Sequence, residues 1–157
     1  VAGAAERFEG PLAIAAARGA HRDDPDAPLA ILAVIDGTEA ARRGAEIAVT
    51  LARGADAALC VLFLADGAGR RLAGMRQGDA AALREVVDLA ERAGLRVRTH
   101  VRATRSPERE ILRQARAGNH DLIVMGVTRR TGEVASFGPL AETVLEASDR
   151  SVLFLAS

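Results

Sequence analysis

The run Asp121-Leu122-Ile123-Val124-Met125-Gly126-Val127-Thr128-Arg129-Arg130-Thr131-Gly132, followed by Phe137-Gly138-Pro139, has the residue types needed to hold an anion. An apolar stretch that breaks into a basic, glycine-punctuated loop and then restarts as a helix delivers a strand end and a helix N-terminus to one point. That arrangement points to a nucleotide or another phosphate-sized ligand. A second motif, Asp36-Gly37-Thr38, also closes an apolar stretch. Its carboxylate either contacts a ligand or shapes the turn that starts the next helix.

These motifs need a frame, and the chain alternates apolar runs with helical periods. Strands are expected at 29–35, 57–65, 95–101, 122–125 and 152–155. Helices are expected at 39–53, with Thr38 as N-cap, and at 79–93, where Leu83, Val86, Val87 and Ala90 form a buried stripe closed by Gly94. A third helix starts at Ser106-Pro107-Glu108 and ends at Gly118-Asn119, and Leu140, Ala141, Val144 and Leu145 mark a fourth. In the third strand, Leu95, Val97, Thr99 and Val101 should share the buried face. This alternation implies a Rossmann-like α/β domain with helices on both faces of a five-stranded, mainly parallel sheet, ordered 3-2-1-4-5 in that numbering. The order reverses between strands 1 and 4, so the Asp36-Gly37-Thr38 turn and the loop from Gly126 to Pro139 should converge on one crevice at the carboxyl ends of the strands.

The first 28 residues read as an extension and linker ahead of a domain spanning 29–157. Pro11-Leu12-Ala13-Ile14-Ala15-Ala16-Ala17 fits a strand or a helix end, and the stretch from His21 to Pro28 is polar and proline-bearing. Val1 in place of Met suggests a piece of a longer chain, although a cleaved tag would leave the same start.

Composition narrows the chemistry. All 21 basic residues are Arg, balanced by 21 acidic ones, so there is no net field to favour nucleic acid and no lysine for Schiff-base, P-loop or kinase chemistry. His21, His100 and His120 lack ligand spacing, which argues against a metal site. His120 adjoins a helix end, where a cation is favoured. Cys60 fits a small core residue in a reducing, cytoplasmic compartment. No apolar run is long enough to insert in a membrane, and no signal-peptide pattern opens the chain. The Arg70-Arg71 and Arg76 cluster is either a lid over the crevice or a solvated loop.

From Leu29 to Ala156 the chain resembles the universal stress protein family, whose fold is of the adenine nucleotide alpha hydrolase-like type. Val34-Ile35-Asp36-Gly37-Thr38-Glu39 is similar to the family's first-strand aspartate loop. Asp121-Leu122-Ile123-Val124-Met125-Gly126 is similar to the start of its glycine signature, and Leu153-Phe154-Leu155 to its final strand. The resemblance implies an ATP or AMP site in which Asp36 holds ribose, with Gly37 and Thr38 beside it. Leu64 would contact adenine, and Met125, Gly126, Gly132 and Gly138 would line the phosphates. Arg129 stands where the second signature glycine belongs, the loop is one residue short before Gly138, and Pro139 replaces a hydroxyl residue. Arg129 and Arg130 could compensate by pairing phosphate through their guanidinium forks.

Phe8-Glu9-Gly10-Pro11-Leu12 and Phe137-Gly138-Pro139-Leu140 resemble the C-terminal region of bacterial monovalent cation:proton antiporters, which would place a membrane transporter domain upstream and make this a cytoplasmic domain of an inner-membrane protein. The family resemblance also implies a homodimer through the last strand, Val152-Leu153-Phe154-Leu155, which is apolar on both faces and, as an outermost strand, has one edge free. Three readings follow: a non-catalytic regulatory domain that binds an adenine nucleotide, a dimerisation module that has lost the nucleotide, and a slow ATP hydrolase. The third lacks a magnesium-binding carboxylate pair, a Walker lysine and an assigned base in the sequence.

Overall fold

The computed structural model describes residues 12–19, 24, 26–66, 77–128 and 137–156. Among these residues are six strands and four helices, in chain order: β1 Leu12–Ala16, β2 Ala30–Ile35, α1 Glu39–Gly54, β3 Ala58–Asp66, α2 Gln77–Arg92, β4 Val97–Thr104, α3 Pro107–Ala117, β5 Leu122–Val127, α4 Pro139–Ala147 and β6 Ser151–Ala156. They build one sheet, ordered β1-β6-β5-β2-β3-β4, in which only β1 is antiparallel to its neighbour.

The five expected strands are β2 to β6, in the expected relative order. The sheet nevertheless has six strands, not five. The sixth, β1, lies antiparallel on the outer side of β6, from Leu12 opposite Ala156 to Ala16 opposite Val152. Just beyond it, the Arg18 amide donates to Ser151 Oγ at 2.9 Å, and that hydroxyl donates to the Arg18 carbonyl at 2.7 Å. The Arg18 guanidinium also donates to the Ser148 carbonyl. An alanine-rich stretch of five residues carries little periodicity, and the partner that makes it a strand lies at the opposite end of the chain.

This strand alters the expectation for β6. Val152-Leu153-Phe154-Leu155 is flanked by β5 on one side and β1 on the other, so it is an inner strand. Its supposed free edge, the premise of a dimer through it, is covered by the chain itself.

Helices pack on both faces. β2 is buried on both of its faces, as an inner parallel strand must be, so it reads as an unbroken apolar run. One face of the sheet, with Ile31, Ala33, Val61 and Phe63, packs against α1 and α2. The other, with Leu32, Leu62, Ile123 and Phe154, packs against α3 and α4. Ala41, Gly44, Ala45, Ala48, Val49 and Ala52 form the buried stripe of α1, a nearly smooth face that allows close approach to the strands.

Two local expectations need correction. Thr99 and Val101 are exposed on edge strand β4, whereas Leu95 and Val97 pack against the core, so helix cover reaches the start of the strand and not its end. His120 is not solvated at the helix end. It is buried, with Nδ1 3.2 Å from the Gln114 carbonyl, and burial pulls its pKa below the ordinary imidazole value. Cys60 is a core residue whose thiol pKa is raised by burial.

Candidate functional site

At the carboxyl ends of β2, β3, β4 and β5 lies a cavity of about 560 Å³. Its position follows from the switch between β2 and β5, whose outgoing connections leave to opposite faces and open the sheet edge. The walls are Val34 to Asp36 and Thr38 after β2, Leu64 and Ala65 from β3, Thr104, Arg105 and Pro107 after β4, Met125 to Thr128 at the end of β5, and Phe137 to Ala141 at the start of α4.

Asp36 and Thr38 form one hydrogen-bonded unit. Asp36 Oδ1 accepts from the Thr38 amide at 3.0 Å and from the Thr38 hydroxyl at 2.7 Å. Thr38 Oγ1 in turn accepts from the Ala41 amide at 3.2 Å, capping α1. The carboxylate therefore braces the cap through one oxygen while its residue lines the cavity. Gly37 allows the turn, with φ +84°, but does not itself line the cavity.

Gly126 is required by packing. A Cβ there would stand 1.6 Å from the Ala40 carbonyl oxygen, and a Cβ on Gly44 would stand 2.4 Å from the Gly126 amide nitrogen. Helix α1 thus rests backbone against backbone on the end of β5. The glycine that ends the strand fixes the helix that forms one wall.

On the far wall, Gly138 precedes α4 with φ +85° and offers no side-chain cap, and Pro139 occupies the first helical position without an N–H. Phe137 stacks on buried Phe154, with ring centroids 6.4 Å apart and planes inclined by 17°, which anchors this wall to the core. After β4, Ser106 makes no side-chain cap bond to α3, which also begins with proline.

Of the residues expected at the site, Asp36, Thr38, Leu64, Met125, Gly126 and Gly138 come together around this cavity. Arg129, Arg130 and Gly132 lie outside the described residues, as do Arg70, Arg71 and Arg76. The sequence reading missed Thr104, Arg105 and Pro107. It ended the third strand at Val101, while β4 continues to Thr104 and carries Arg105 to the carboxyl edge. The start signal at Ser106-Pro107 was visible, and extending the strand up to it would have exposed this corner.

The family model described as "Universal stress protein family" matches residues 29–155. The chain belongs to that family. No curated protein matches it. Among solved structures, a universal stress protein in complex with cAMP is 19% identical, with a TM-score of 0.62 over 80% of this chain and 95% of that one. A member of the family from Burkholderia pseudomallei is 24% identical, with a TM-score of 0.58 over 80% and 93%. The universal stress protein from Archaeoglobus fulgidus in complex with dAMP is 19% identical, with a TM-score of 0.57 over 82% and 98%. At these identities the likeness establishes the fold. Strand β1 lies ahead of the matched residues. Among the described residues, no helix is long and apolar enough to cross a membrane.

Proposed function

We propose that this universal stress domain is a non-catalytic regulatory module that binds an adenine nucleotide, AMP or ATP, in the cavity at the carboxyl ends of β2 to β5. The observation that carries the reading is the convergence of Asp36, Leu64, Met125, Gly126 and Gly138 on one 560 Å³ space, a size suited to a small ligand. The cAMP and dAMP complexes of structural relatives support the choice of ligand class. In this reading Asp36 turns its second oxygen to the ribose hydroxyls, Leu64 packs on the base, and Arg129 and Arg130 supply charge that the altered loop no longer supplies through glycine amides. The module would act on an attached cation:proton antiporter, and regulation requires that the nucleotide bind one state of the assembly more tightly than another.

A dimerisation module without a ligand is the second reading. Pro139 favours its first half, because this residue brings neither the hydroxyl nor the backbone N–H that a phosphate would use at the signature position. Pairing through β6 would require β1 to leave the edge it covers.

The chain has no Trp and no Tyr, so its own near-ultraviolet absorbance is weak and a co-purified base would stand out. A nucleobase band in the purified protein, with an adenine nucleotide mass in the heat-released supernatant, is the expected result. A protein that carries no base and is not stabilised against heat by added AMP or ATP would overturn the reading.

A further inference from the structure

Two threonine hydroxyls on opposite sides of the cavity differ in what they have left to offer. On the β2 side, the Thr38 hydroxyl donates to Asp36 and accepts from the Ala41 amide, so both of its roles are filled. On the β3–β4 side, the described lining residues with polar side chains are Thr104 and Arg105. Arg105 is exposed and lies one residue beyond the strand. Thr104 is half-buried and ends β4, and the Ser106 amide donates to its Oγ1 at 3.0 Å. That bond holds the oxygen in place, yet the hydroxyl proton has no acceptor among the described residues.

Strand register fixes what lies beside that proton. Leu64 on β3 stands opposite Arg102, and Asp66 opposite Thr104. Thr104 therefore shares the sheet face of Leu64, one strand outward and two residues nearer the carboxyl edge. In the nucleotide reading the phosphate lies at Gly126 and Gly138 on the β5 side, the ribose at Asp36 after β2 and the base against Leu64. Such a ligand follows the strand order β5-β2-β3, and the next strand is β4. The part of the base that points on toward β4 is the edge opposite the ribose. In adenine that edge carries the N1 lone pair, a hydrogen-bond acceptor.

We infer that Thr104 is a specificity-determining residue that donates its hydroxyl proton to N1 of the bound adenine. This rests on the nucleotide-binding reading and keeps its placement of phosphate, ribose and base; what it adds is the group that reads the far edge of the base. A donor held by its own hydrogen bond to the backbone loses little freedom on meeting the ligand, so the contact favours a base with an acceptor at that point.

The test pairs one residue with one ligand atom. The whole chain is titrated by calorimetry with AMP and with its 1-deaza analogue, in which C–H replaces N1, for the parent, Thr104→Val and Thr104→Ser. The parent should bind AMP about fivefold more tightly than the analogue, the net worth of one hydrogen bond. Thr104→Val should weaken AMP by about that factor and leave the analogue unchanged, whereas Thr104→Ser, which keeps the hydroxyl, should retain the preference. Loss of the Ser106 bond in Thr104→Val acts on both ligands alike, so the difference between them isolates the contact with N1. The inference is overturned if the parent binds AMP and the analogue equally, if Thr104→Val weakens both by the same factor or neither, or if Thr104→Ser loses the preference as the valine variant does. In each of those cases a parent that binds AMP leaves the nucleotide reading standing. A parent that binds neither compound overturns that reading, and this inference with it.

Discussion

On the β2–α1 side of the crevice, Thr38 caps the helix and Asp36 braces Thr38, while Gly126 lets α1 sit directly on the end of β5. On the opposite side, α3 and α4 begin with Pro107 and Pro139 and take no side-chain cap bond. A helix start that completes its own hydrogen bonding is scaffold. One that leaves first-turn donors beside a cavity has partners to gain from a ligand. The two walls thus divide the work, one setting the geometry and the other left chemically open.

The largest expected effect comes from breaking the closed wall. In Gly126→Val the new side chain would collide with the Ala40 carbonyl, and either α1 or the end of β5 must shift. Overpacking of this kind should cost about 3 kcal/mol, measured as a lower urea midpoint. Loss of ligand in this variant would therefore report damage to the wall as much as steric blocking. A midpoint equal to the parent's would show that α1 does not need its close seat on β5.

A smaller effect sharpens the contrast directly. Thr38→Ala removes a cap bond and the hydroxyl that Asp36 holds, and should cost about 1 kcal/mol. Ser106→Ala removes no cap bond and should cost less than about 0.5 kcal/mol. Equal losses at the two positions, by urea denaturation, would mean that the walls are not capped differently after all. The bracing role also governs how Asp36 should be probed. Asp36→Asn keeps an oxygen for Thr38 while removing the charge, so it separates ligand binding from turn stability better than Asp36→Ala.

Most of the frame was legible because local patterns report it. β2, β3, β5 and β6 are apolar runs bounded by turn residues, Gly94 ends α2 in the left-handed conformation, and the reversal of strand order alone brings Asp36 and Gly126 to one crevice. What escaped depended on distant partners. Leu12–Ala16 becomes a strand only because β6 needs a neighbour, and nothing within five small residues announces that. Gly126 resembled a phosphate-loop glycine, yet the Ala40 carbonyl is what forbids a side chain there. Arg105 was missed by a boundary error of three residues on β4, the difference between a loop arginine and a cavity wall.

The smallest effect belongs to the far end of α3, where a side chain closes the helix that the near end leaves open. His120 folds back over Gly118, so closely that a Cβ on that glycine would meet the imidazole Cε1 at 2.1 Å. With the Gln114 carbonyl as acceptor, the ring proton resides on Nδ1 in the neutral form. Desolvation, the leading cause, lowers the folded-state pKa, and the hydrogen bonds to Gln114 and Ala115 and the charge of Asp121 oppose it without reversing it. The unfolded chain therefore binds a proton more readily than the folded one. Stability should be fully present above the unfolded value of about 6.5 and should decline as pH falls from there toward the folded pKa. Urea midpoints followed from about pH 7.5 to about pH 5.5 should fall in the parent and stay flatter in His120→Gln. If acidification over that window instead stabilises the parent relative to the variant, the imidazolium is favoured at the helix C-terminus and burial is not the dominant influence on this residue.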